Sequence, residues 1–211
     1  MYFITDYVED PDIEVDILGQ PLNVGDRHQA HVLLVWHERI DDEYLIGFDH
    51  LKGVVRYGVG YDNVDLYALK QRDILFCNTP DYGVDEVSDT AVAMLLNFSR
   101  GIVQYDKSSQ VLLADRWQEE VIPMLRRSSE QTVGVLGAGR IGGSVCRKMN
   151  ALGFNVTFFD PYLPSGYEKM IGVSRADSLE NLLAASDFLS IHTPLTAETR
   201  CWVVFLFLDH L

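Results

Sequence analysis

Residues 133–142 constrain the fold more than any other part of this 211-residue chain. The apolar run at residues 133–136 is typical of a buried strand, and the sequence Gly137-Ala-Gly-Arg-Ile-Gly142 follows it at once. Apolar residues then recur at helical spacing: Val145, Met149 and Leu152. Gly153 is a suitable helix stop. The glycines are therefore predicted to form a strand-to-helix turn.

Each glycine of this turn has a distinct physical reason to be there. Gly137 lets the chain turn sharply, Gly139 lets a pyrophosphate approach the backbone, and Gly142 lets the helix pack closely on the strand. Free N–H groups and the positive end of the helix dipole would then face the phosphates. Arg140 lies inside the turn, where its side chain faces either a phosphate or solvent.

An acidic residue follows the next predicted strand, at residues 154–159. Asp160 lies about 20 residues past the glycines, where dinucleotide-binding folds carry a ribose-binding acid. A carboxylate there accepts hydrogen bonds from both ribose hydroxyls and repels a 2′-phosphate, which favours NAD over NADP. The alternative is an ordinary glycine turn with an aspartate at a strand end.

The first part of the chain alternates predicted strands, at residues 2–4, 32–36, 54–57 and 74–77, with predicted helices at 42–51 and 64–71. Such alternation predicts a parallel sheet with helices on its faces. A further helix is possible at residues 13–18. The predicted strand at 54–57 runs into a loop with two glycines, and Asp62 or Asn63 would cap the helix after it. This loop is either an anion-binding nest of backbone N–H groups or a plain strand–helix turn.

A long helix is predicted from residue 84 toward residue 109, with one apolar stripe that would be mostly core. The stripe comprises Val84, Val87, Ala91, Leu95, Phe98, Ile102 and Tyr105. We place a domain boundary inside this helix, which gives domains at residues 1–98 and 99–211. Residues 115–130 are predicted to be a surface connection. Ser178 should cap a helix that runs through Ala185, and a strand at 188–191 leads to a loop at 192–199 placed to cover a cofactor.

Composition narrows the possible functions. The net charge of −14, without a Lys/Arg run, disfavours direct nucleic-acid binding. Cys77, Cys146 and Cys201 are far apart, which is typical of reduced, packed thiols in a cytoplasmic protein. The N-terminus lacks the pattern of a signal peptide. The longest apolar run, at residues 201–208, is too short to span a bilayer, but its β-forming residues give it an aggregation signature.

Five motifs in one order resemble the D-isomer-specific 2-hydroxyacid dehydrogenases. They are Arg56-Tyr-Gly-Val-Gly-Tyr-Asp-Asn-Val-Asp65, Cys77-Asn-Thr-Pro80, Val133-Gly-Val-Leu-Gly-Ala-Gly-Arg-Ile-Gly142, Phe159-Asp-Pro-Tyr162 and His192-Thr-Pro-Leu-Thr-Ala-Glu-Thr199. Residues 35–40 and 160–168 look most like the C-terminal-binding-protein branch of that family. The resemblance runs from about residue 1 to about residue 203.

The resemblance implies an α/β protein in which a flavodoxin-like substrate domain precedes an NAD-binding Rossmann domain. Family members transfer hydride between the nicotinamide and C2 of a small 2-hydroxy or 2-keto acid, and they form homodimers largely through the NAD domain. The implied substrate-carboxylate loop comprises Tyr57, Gly58, Val59 and Gly60. The implied cofactor site comprises Leu136, Gly137, Ala138, Gly139, Arg140, Ile141, Gly142, the ribose acid Asp160, and the adenosine-flanking Thr193, Pro194 and Thr199.

The sequence departs from the family after Trp202. The family's catalytic arginine, glutamate and histidine follow the threonine-rich loop, and residues 203–211 match nothing expected there. A six-stranded Rossmann sheet takes roughly 150 residues, at about 25 per strand–helix unit, which is more than follow Thr132. We therefore expect a C-terminally truncated, incomplete Rossmann domain with no catalytic residues. A non-catalytic NAD-responsive interaction protein, similar to a corepressor, and an inactive fragment remain the alternatives.

The remaining candidate groups are histidines and one arginine. His28, His31 and His50 have no visible acid partner in the sequence, His37 lies beside Glu38, which is expected to be a surface residue, and His210 belongs to the atypical tail. The remaining histidine, His192, is the only one expected near the cofactor, at the end of a strand. Arg56 either points toward the substrate loop or pairs with a nearby aspartate.

Overall fold

The computed structural model describes residues 1–6, 10–110, 125–200 and 202. Its contacts divide the chain into two compact units. The first unit comprises Met1–Tyr82 and Leu195–Ala197, and the second comprises Gly83–Pro194 and Glu198–Leu211.

The first unit is built on a parallel four-stranded sheet. Its strands are β1 (Tyr2–Ile4), β2 (Val32–Val35), β3 (Gly53–Arg56) and β4 (Leu75–Asn78), in the order β1-β2-β3-β4. The predicted strands are confirmed, with ends shifted by one residue at most. The register pairs Val35 with Arg56 and Arg56 with Asn78. The loops after β2, β3 and β4 therefore leave the sheet at one edge.

Two helices and a 3-10 helix accompany this sheet: α1 (Asp12–Leu18), α2 (Leu66–Gln71) and the 3-10 segment Val24–Gln29. The possible helix at residues 13–18 is confirmed as α1. The core beneath the sheet is apolar and fully buried around Leu33, Val35, Val54, Ala68 and Leu69.

Two local predictions in this unit are wrong. Residues 42–51 form successive turns instead of a helix, because Gly47 adopts a φ of +89° that ends any helical run. The cap of α2 is Asp65, whose carboxylate accepts hydrogen bonds from the N–H groups of Tyr67 and Ala68. Neither Asp62 nor Asn63 is the cap, and the Asn63 amide instead donates to the carbonyl of Glu38.

The second unit contains a second parallel sheet, with a reversal of strand order. Its strands are β5 (Thr132–Leu136), β6 (Asn155–Phe159), β7 (Ser174–Arg175) and β8 (Phe188–Ile191). They lie in the order β7-β6-β5-β8. The chain adds β6 and β7 on one side of β5, and then crosses back and adds β8 on the other side of β5. The order corresponds to strands 3-2-1-4 of a doubly wound sheet, whose ligands bind where the order reverses.

Within the described residues, the second unit contains five α-helices, α3 (Val84–Arg100), α4 (Ile102–Gln110), α5 (Arg140–Ala151), α6 (Tyr167–Ile171) and α7 (Leu179–Ala185), and the 3-10 segment Ser128–Glu130. Helix α3 packs against α5 through a polar contact. The Lys148 ammonium donates to the Ser88 hydroxyl at 2.7 Å and to the Asp89 carboxylate at 2.6 Å. The division of the chain therefore falls at the start of α3, the helix in which the sequence placed the boundary at 98/99.

The predicted continuous helix over residues 84–109 is wrong, because Gly101 adopts a φ of +62° and ends α3. The predicted core stripe is also mostly wrong. Of its members only Leu95 is buried, whereas Val87, Phe98, Ile102 and Tyr105 are exposed. The buried face of α3 instead carries Ser88 and Ser99 beside Leu95, and an apolar pattern cannot reveal serines that pack against a neighbouring helix.

Several other features match or correct the sequence expectations. Ser178 caps α7, as predicted, by accepting a hydrogen bond from the Asn181 N–H. Cys146 is buried, and burial raises the pKa of its thiol to about 12. Cys77 is exposed, so its predicted packing is wrong, because β4 is an edge strand with an uncovered face.

Some predictions fall outside the described residues. They are those for residues 115–124 of the surface connection, for Cys201, for the apolar run at 203–208 and for His210. Within the described residues, no helix has the length and apolar character needed to cross a membrane.

Candidate functional site

The turn after β5 depends on Gly137 for its shape. Gly137 has a φ of +83°, and its N–H donates to the carbonyl of Phe159 at 2.9 Å. A Cβ on this residue would lie 2.9 Å from Thr193 Cγ2 and 3.1 Å from the His192 carbonyl oxygen. Residues 192 and 193 therefore pass directly over the turn, and only glycine provides both the backbone conformation and the space.

Gly142 sets the distance between α5 and β5. A Cβ there would overlap the carbonyl oxygen of Gly137 and would lie 3.2 Å from Val135 Cγ1. The obstacle is backbone, which cannot move aside as a flexible side chain can. The first turn of α5 is consequently pressed against the end of the strand, as the sequence predicted.

Gly139 faces open space, in contrast to Gly137 and Gly142. A Cβ on Gly139 would meet no atom within 4 Å. Within the described part of the chain, the N–H groups of Gly139, Arg140 and Ile141 form no hydrogen bond. They are the first donors of the 12-residue helix α5, whose dipole adds partial positive charge at this end. Open space beside unused donors fits a diphosphate.

Arg140 is exposed and forms no ion pair with any described residue. Its guanidinium is therefore free to meet either solvent or a phosphate, and both alternatives from the sequence stay open.

Asp160 lies at the end of β6 and is tied to the glycine turn. One oxygen of its carboxylate accepts from the Ala138 N–H at 3.0 Å, and the other accepts from the Tyr162 N–H at 3.0 Å. The sequence predicted that this carboxylate accepts hydrogen bonds from the ribose hydroxyls. The structure adds that the carboxylate also fixes Ala138, the second residue of the glycine turn.

Arg175 on β7 is a site residue that the sequence did not reveal. Its guanidinium donates to the carbonyl oxygens of Asp160, Leu163 and Pro164, at 2.5, 2.8 and 3.2 Å. β7 has only two residues, so no strand pattern marks it, and a lone arginine so far from the glycines carries no motif. It holds the loop that contains Asp160.

The segment after β8 forms the other side of the turn. The His192 N–H donates to the Leu136 carbonyl at 2.8 Å and so extends the pairing of β8 with β5. The Thr199 hydroxyl donates to the Pro194 carbonyl at 2.5 Å. Thr193 and Thr199 are half-buried, and Thr193 lies against Gly137. The predicted adenosine-flanking residues thus lie in one hydrogen-bonded loop at the reversal of strand order.

Two titratable side chains near the loop after β8 already form side-chain hydrogen bonds. The His192 Nε2 lies 2.8 Å from the Ser190 hydroxyl, and burial lowers the pKa of its imidazole, which favours the neutral ring at neutral pH. The Tyr162 hydroxyl donates to the Glu198 carboxylate at 2.5 Å, and this hydrogen bond raises the pKa of the phenol.

The loop after β3 in the first unit presents two unused backbone donors. The Gly58 N–H donates to the Arg56 carbonyl at 2.9 Å, and Asn78 Nδ2 donates to the Val59 carbonyl at 2.9 Å. These bonds fix the loop, while the N–H groups of Val59 and Gly60 have no partner among the described residues. Fixed backbone with free N–H groups favours the anion-nest interpretation over a plain turn.

The guanidinium of Arg56 lies against this loop. Its carbon is 5.3 Å from the centre of the Trp36 ring, and a Cβ on Gly58 would overlap its Nη1 atom. The Nε atom is buried without a hydrogen-bond partner. No ion pair joins Arg56 to an aspartate in the described part of the chain, so of the two sequence alternatives the structure favours the loop. The neighbouring Tyr57 hydroxyl donates to Glu14 at 2.7 Å.

A parallel sheet of this strand order, with a glycine turn and an acid at the reversal, defines a Rossmann-type dinucleotide-binding domain. Residues 92–205 match the family model "D-isomer specific 2-hydroxyacid dehydrogenase, NAD binding domain". The chain therefore belongs to the D-isomer specific 2-hydroxyacid dehydrogenase family, and NAD is the cofactor of the domain it matches.

Individual relatives agree with this assignment. The chain is 34% identical over 163 residues to a glyoxylate reductase of Korarchaeum cryptofilum, covering 76% of this chain and 48% of the relative. It is 29% identical over 178 residues to C-terminal-binding protein 1 of Caenorhabditis elegans, covering 82% and 24%. Because both kinds of relative match, the assignment holds for the family and not for one branch. The chain spans half or less of the length of these two relatives.

A solved structure shows the same fold. D-lactate dehydrogenase from Aquifex aeolicus, complexed with NAD and lactic acid, aligns with a TM-score of 0.80 and 26% sequence identity. The alignment covers 94% of this chain and 62% of that chain. The predicted parallel α/β architecture is confirmed.

Proposed function

We propose that the chain binds NAD in the turn at residues 136–142, with the donors of Gly139, Arg140 and Ile141 on the pyrophosphate. Asp160 binds the adenine ribose, and Thr193, Pro194 and Thr199 flank the adenosine. The observation that carries this proposal is the open space over Gly139 beside three unused N–H groups. Ordinary helix starts also leave donors free, but here the Asp160 carboxylate, just after the neighbouring strand, is bonded to the same turn.

The substrate class we propose is a small 2-hydroxy or 2-keto acid. Its carboxylate would bind the loop from Tyr57 to Gly60 through the N–H groups of Val59 and Gly60, with the guanidinium of Arg56 supplying the charge. Two backbone donors and a partly buried arginine match the geometry and charge of a carboxylate. On this basis residues 1–98 contribute to substrate binding and residues 99–211 to NAD binding.

The reaction of the family is hydride transfer between C2 of the acid and the nicotinamide, for which bound NAD supplies the hydride acceptor. We propose that these 211 residues do not themselves supply the catalytic arginine, glutamate and histidine. In the described part of the chain, no histidine forms an ion pair with a carboxylate, and His192 is bonded to Ser190. General acid–base catalysis needs a positioned group of suitable pKa within reach of the substrate.

An NADH oxidation assay with glyoxylate, hydroxypyruvate and pyruvate tests this proposal. We expect saturable NADH binding and no oxidation above the rate without protein. Turnover that scales with protein concentration would show that a catalytic group lies within these residues after all.

Replacing Asp160 with alanine is expected to weaken NADH binding and to reduce the discrimination against NADPH. The ribose loses its acceptor, the 2′-phosphate loses its repulsion, and the Ala138 N–H loses its partner. Removing a hydrogen bond to a charged group costs about 1.5–3 kcal/mol, or roughly a 10- to 150-fold loss of NADH affinity. Fluorescence titrations with both nucleotides measure the change. An Asp160→Ala variant with unaltered affinity for NADH and NADPH would show that Asp160 does not bind the ribose.

Replacing Arg56 with methionine should abolish the binding of small carboxylates while NADH binding is retained. Methionine keeps an unbranched stem beside Trp36 but removes the charge. Isothermal titration calorimetry measures glyoxylate binding, because the guanidinium lies over the Trp36 ring and its removal alone would change the fluorescence of that ring. Arg39 is an exposed arginine on the same unit, so Arg39→Met is the matched control. Equal glyoxylate affinity in both variants would contradict a role for Arg56.

A second candidate function is that of an NAD-responsive interaction protein, with corepressor-like activity. One observation favours it: α3 and α4 expose an apolar stripe at Val87, Met94, Phe98, Ile102 and Tyr105, and stripes of this kind mark interaction surfaces. Sedimentation of the chain with and without NADH tests it, because this function predicts a nucleotide-dependent change in association. Homodimerisation, a cytoplasmic location and the absence of direct nucleic-acid binding remain proposals.

A further inference from the structure

We propose that Arg175 is a positioning residue that sets the preference for NAD over NADP by holding the backbone of the loop at residues 160–164. The inference rests on the proposed role of Asp160 in ribose binding. Arg175 lies on a different strand, β7, and keeps the Asp160 carboxylate in the position in which it binds the ribose.

Arg175 donates to three carbonyl oxygens of the loop after β6. Its Nη2 atom donates to the carbonyl oxygens of Asp160 and Leu163, and its Nη1 atom donates to that of Pro164. The half-buried residues Asp160 and Leu163 have carbonyls that accept no other hydrogen bond from a described residue, and such a carbonyl without a donor is costly. The Pro164 carbonyl also accepts from the Tyr167 N–H at 3.3 Å.

The chemistry of the side chain matches this task. A guanidinium presents several N–H donors in a rigid plane, so it can serve three carbonyls at once, whereas a lysine ammonium is a point charge on a flexible stem. The guanidinium carbon also lies 5.6 Å from the centre of the Phe158 ring. Phe158 is fully buried in β6, which anchors Arg175 to the strand that carries Asp160.

Arg175 acts through geometry more than through its charge. Glu168 lies 3.9 Å from its Nη1 atom and compensates part of the positive charge. The Asp160 carboxylate is held separately by the N–H groups of Ala138 and Tyr162. Asp160 is thus held at two points, by Arg175 at its carbonyl and by two backbone donors at its carboxylate.

The two effects of removing Arg175 have opposite signs, which makes the proposal testable. Loss of a positive charge alone makes the site more negative and should strengthen the rejection of NADPH. Loss of positioning lets the carboxylate move away from the ribose, which weakens NADH binding and weakens the rejection of NADPH. The ratio of the NADPH Kd to the NADH Kd distinguishes the two.

The experiment compares the full chain with its Arg175→Met and Lys169→Met variants by nucleotide fluorescence titration. Lys169 is an exposed residue of α6, six residues before Arg175 in the sequence, so Lys169→Met removes a positive charge of the same unit without removing a hydrogen bond to residues 160–164. We expect Arg175→Met to lower the Kd ratio several-fold and Lys169→Met to leave it unchanged or raised. An unchanged or raised ratio in Arg175→Met overturns the proposal.

A second variant and a second measurement cover the case in which Arg175→Met does not fold. Arg175→Lys keeps the charge but not the planar set of donors, so the Kd ratio should fall there too. Without nucleotide, amide hydrogen exchange at Tyr162 should be faster in either Arg175 variant than in Lys169→Met, and equal exchange overturns the proposal. If the parent chain binds no NADH, the proposed function fails, whereas parent binding with an unchanged ratio removes only the role of Arg175.

Discussion

Replacing Gly139 with valine is expected to abolish tight NADH binding while the fold remains intact. A Cβ at this position meets no protein atom within 4 Å, and the backbone φ of −66° lies outside the left-handed region that disfavours side chains. The branched side chain would occupy the space in which a pyrophosphate approaches the backbone. Each charged hydrogen bond lost there costs about 1.5–3 kcal/mol, so losing two lowers the NADH affinity by roughly 100-fold or more.

Thermal unfolding measures the stability of the variant, and NADH titration of the same preparation measures its affinity. A less favourable helix cap should cost at most about 1 kcal/mol of the free energy of unfolding. The decisive contrast is a large loss of affinity against a small loss of stability. Undiminished NADH binding by Gly139→Val would mean that the phosphates lie elsewhere.

The opposite result is expected three residues later, at Gly142. A methyl group there would overlap the carbonyl oxygen of Gly137, so α5 must move away from β5 and uncover a core that includes Val135 and Val145, both fully buried. Overpacking a core typically costs about 1–3 kcal/mol of the free energy of unfolding. Because the obstacle here is backbone, we expect Gly142→Ala to cost about 3 kcal/mol.

Gly139→Ala is the matched control for Gly142→Ala. It adds the same methyl group to the same turn, but in open space. Urea unfolding should show a lower midpoint for Gly142→Ala and a nearly unchanged one for Gly139→Ala. Equal midpoints for the two variants would show that the helix does not pack on the strand as closely as described.

The parts of the site that follow from backbone geometry could be predicted from the sequence. Gly137 and Gly142 are required by a positive φ and by a close approach, and both requirements exclude other side chains. Asp160 could be predicted because α5 and β6 lie between the glycine turn and this residue. In dinucleotide-binding folds these two elements place an acid about 20 residues after the glycines. The longer strands were predictable because buried parallel strands are continuous apolar runs, whereas the two-residue strand β7 was not.

The parts that depend on long-range packing could not be predicted. Arg175 acts on carbonyl groups, which are present in every residue and so leave no pattern in the sequence. The buried face of α3 carries serines that are hidden by α5, with Ser88 bonded to Ser144 and Lys148. An apolar stripe therefore predicted the exposed face of α3 as core, because periodicity reveals which residues share a face and not what covers it.

Titrating the purified chain with NADH, while circular dichroism verifies that it is folded, tests most directly whether the turn at residues 136–142 holds a dinucleotide. We predict saturable binding that is displaced by NAD and is lost in Gly139→Val, whose thermal stability falls only slightly. A folded parent chain that binds no NADH, or that binds it equally well with valine at position 139, would contradict the account.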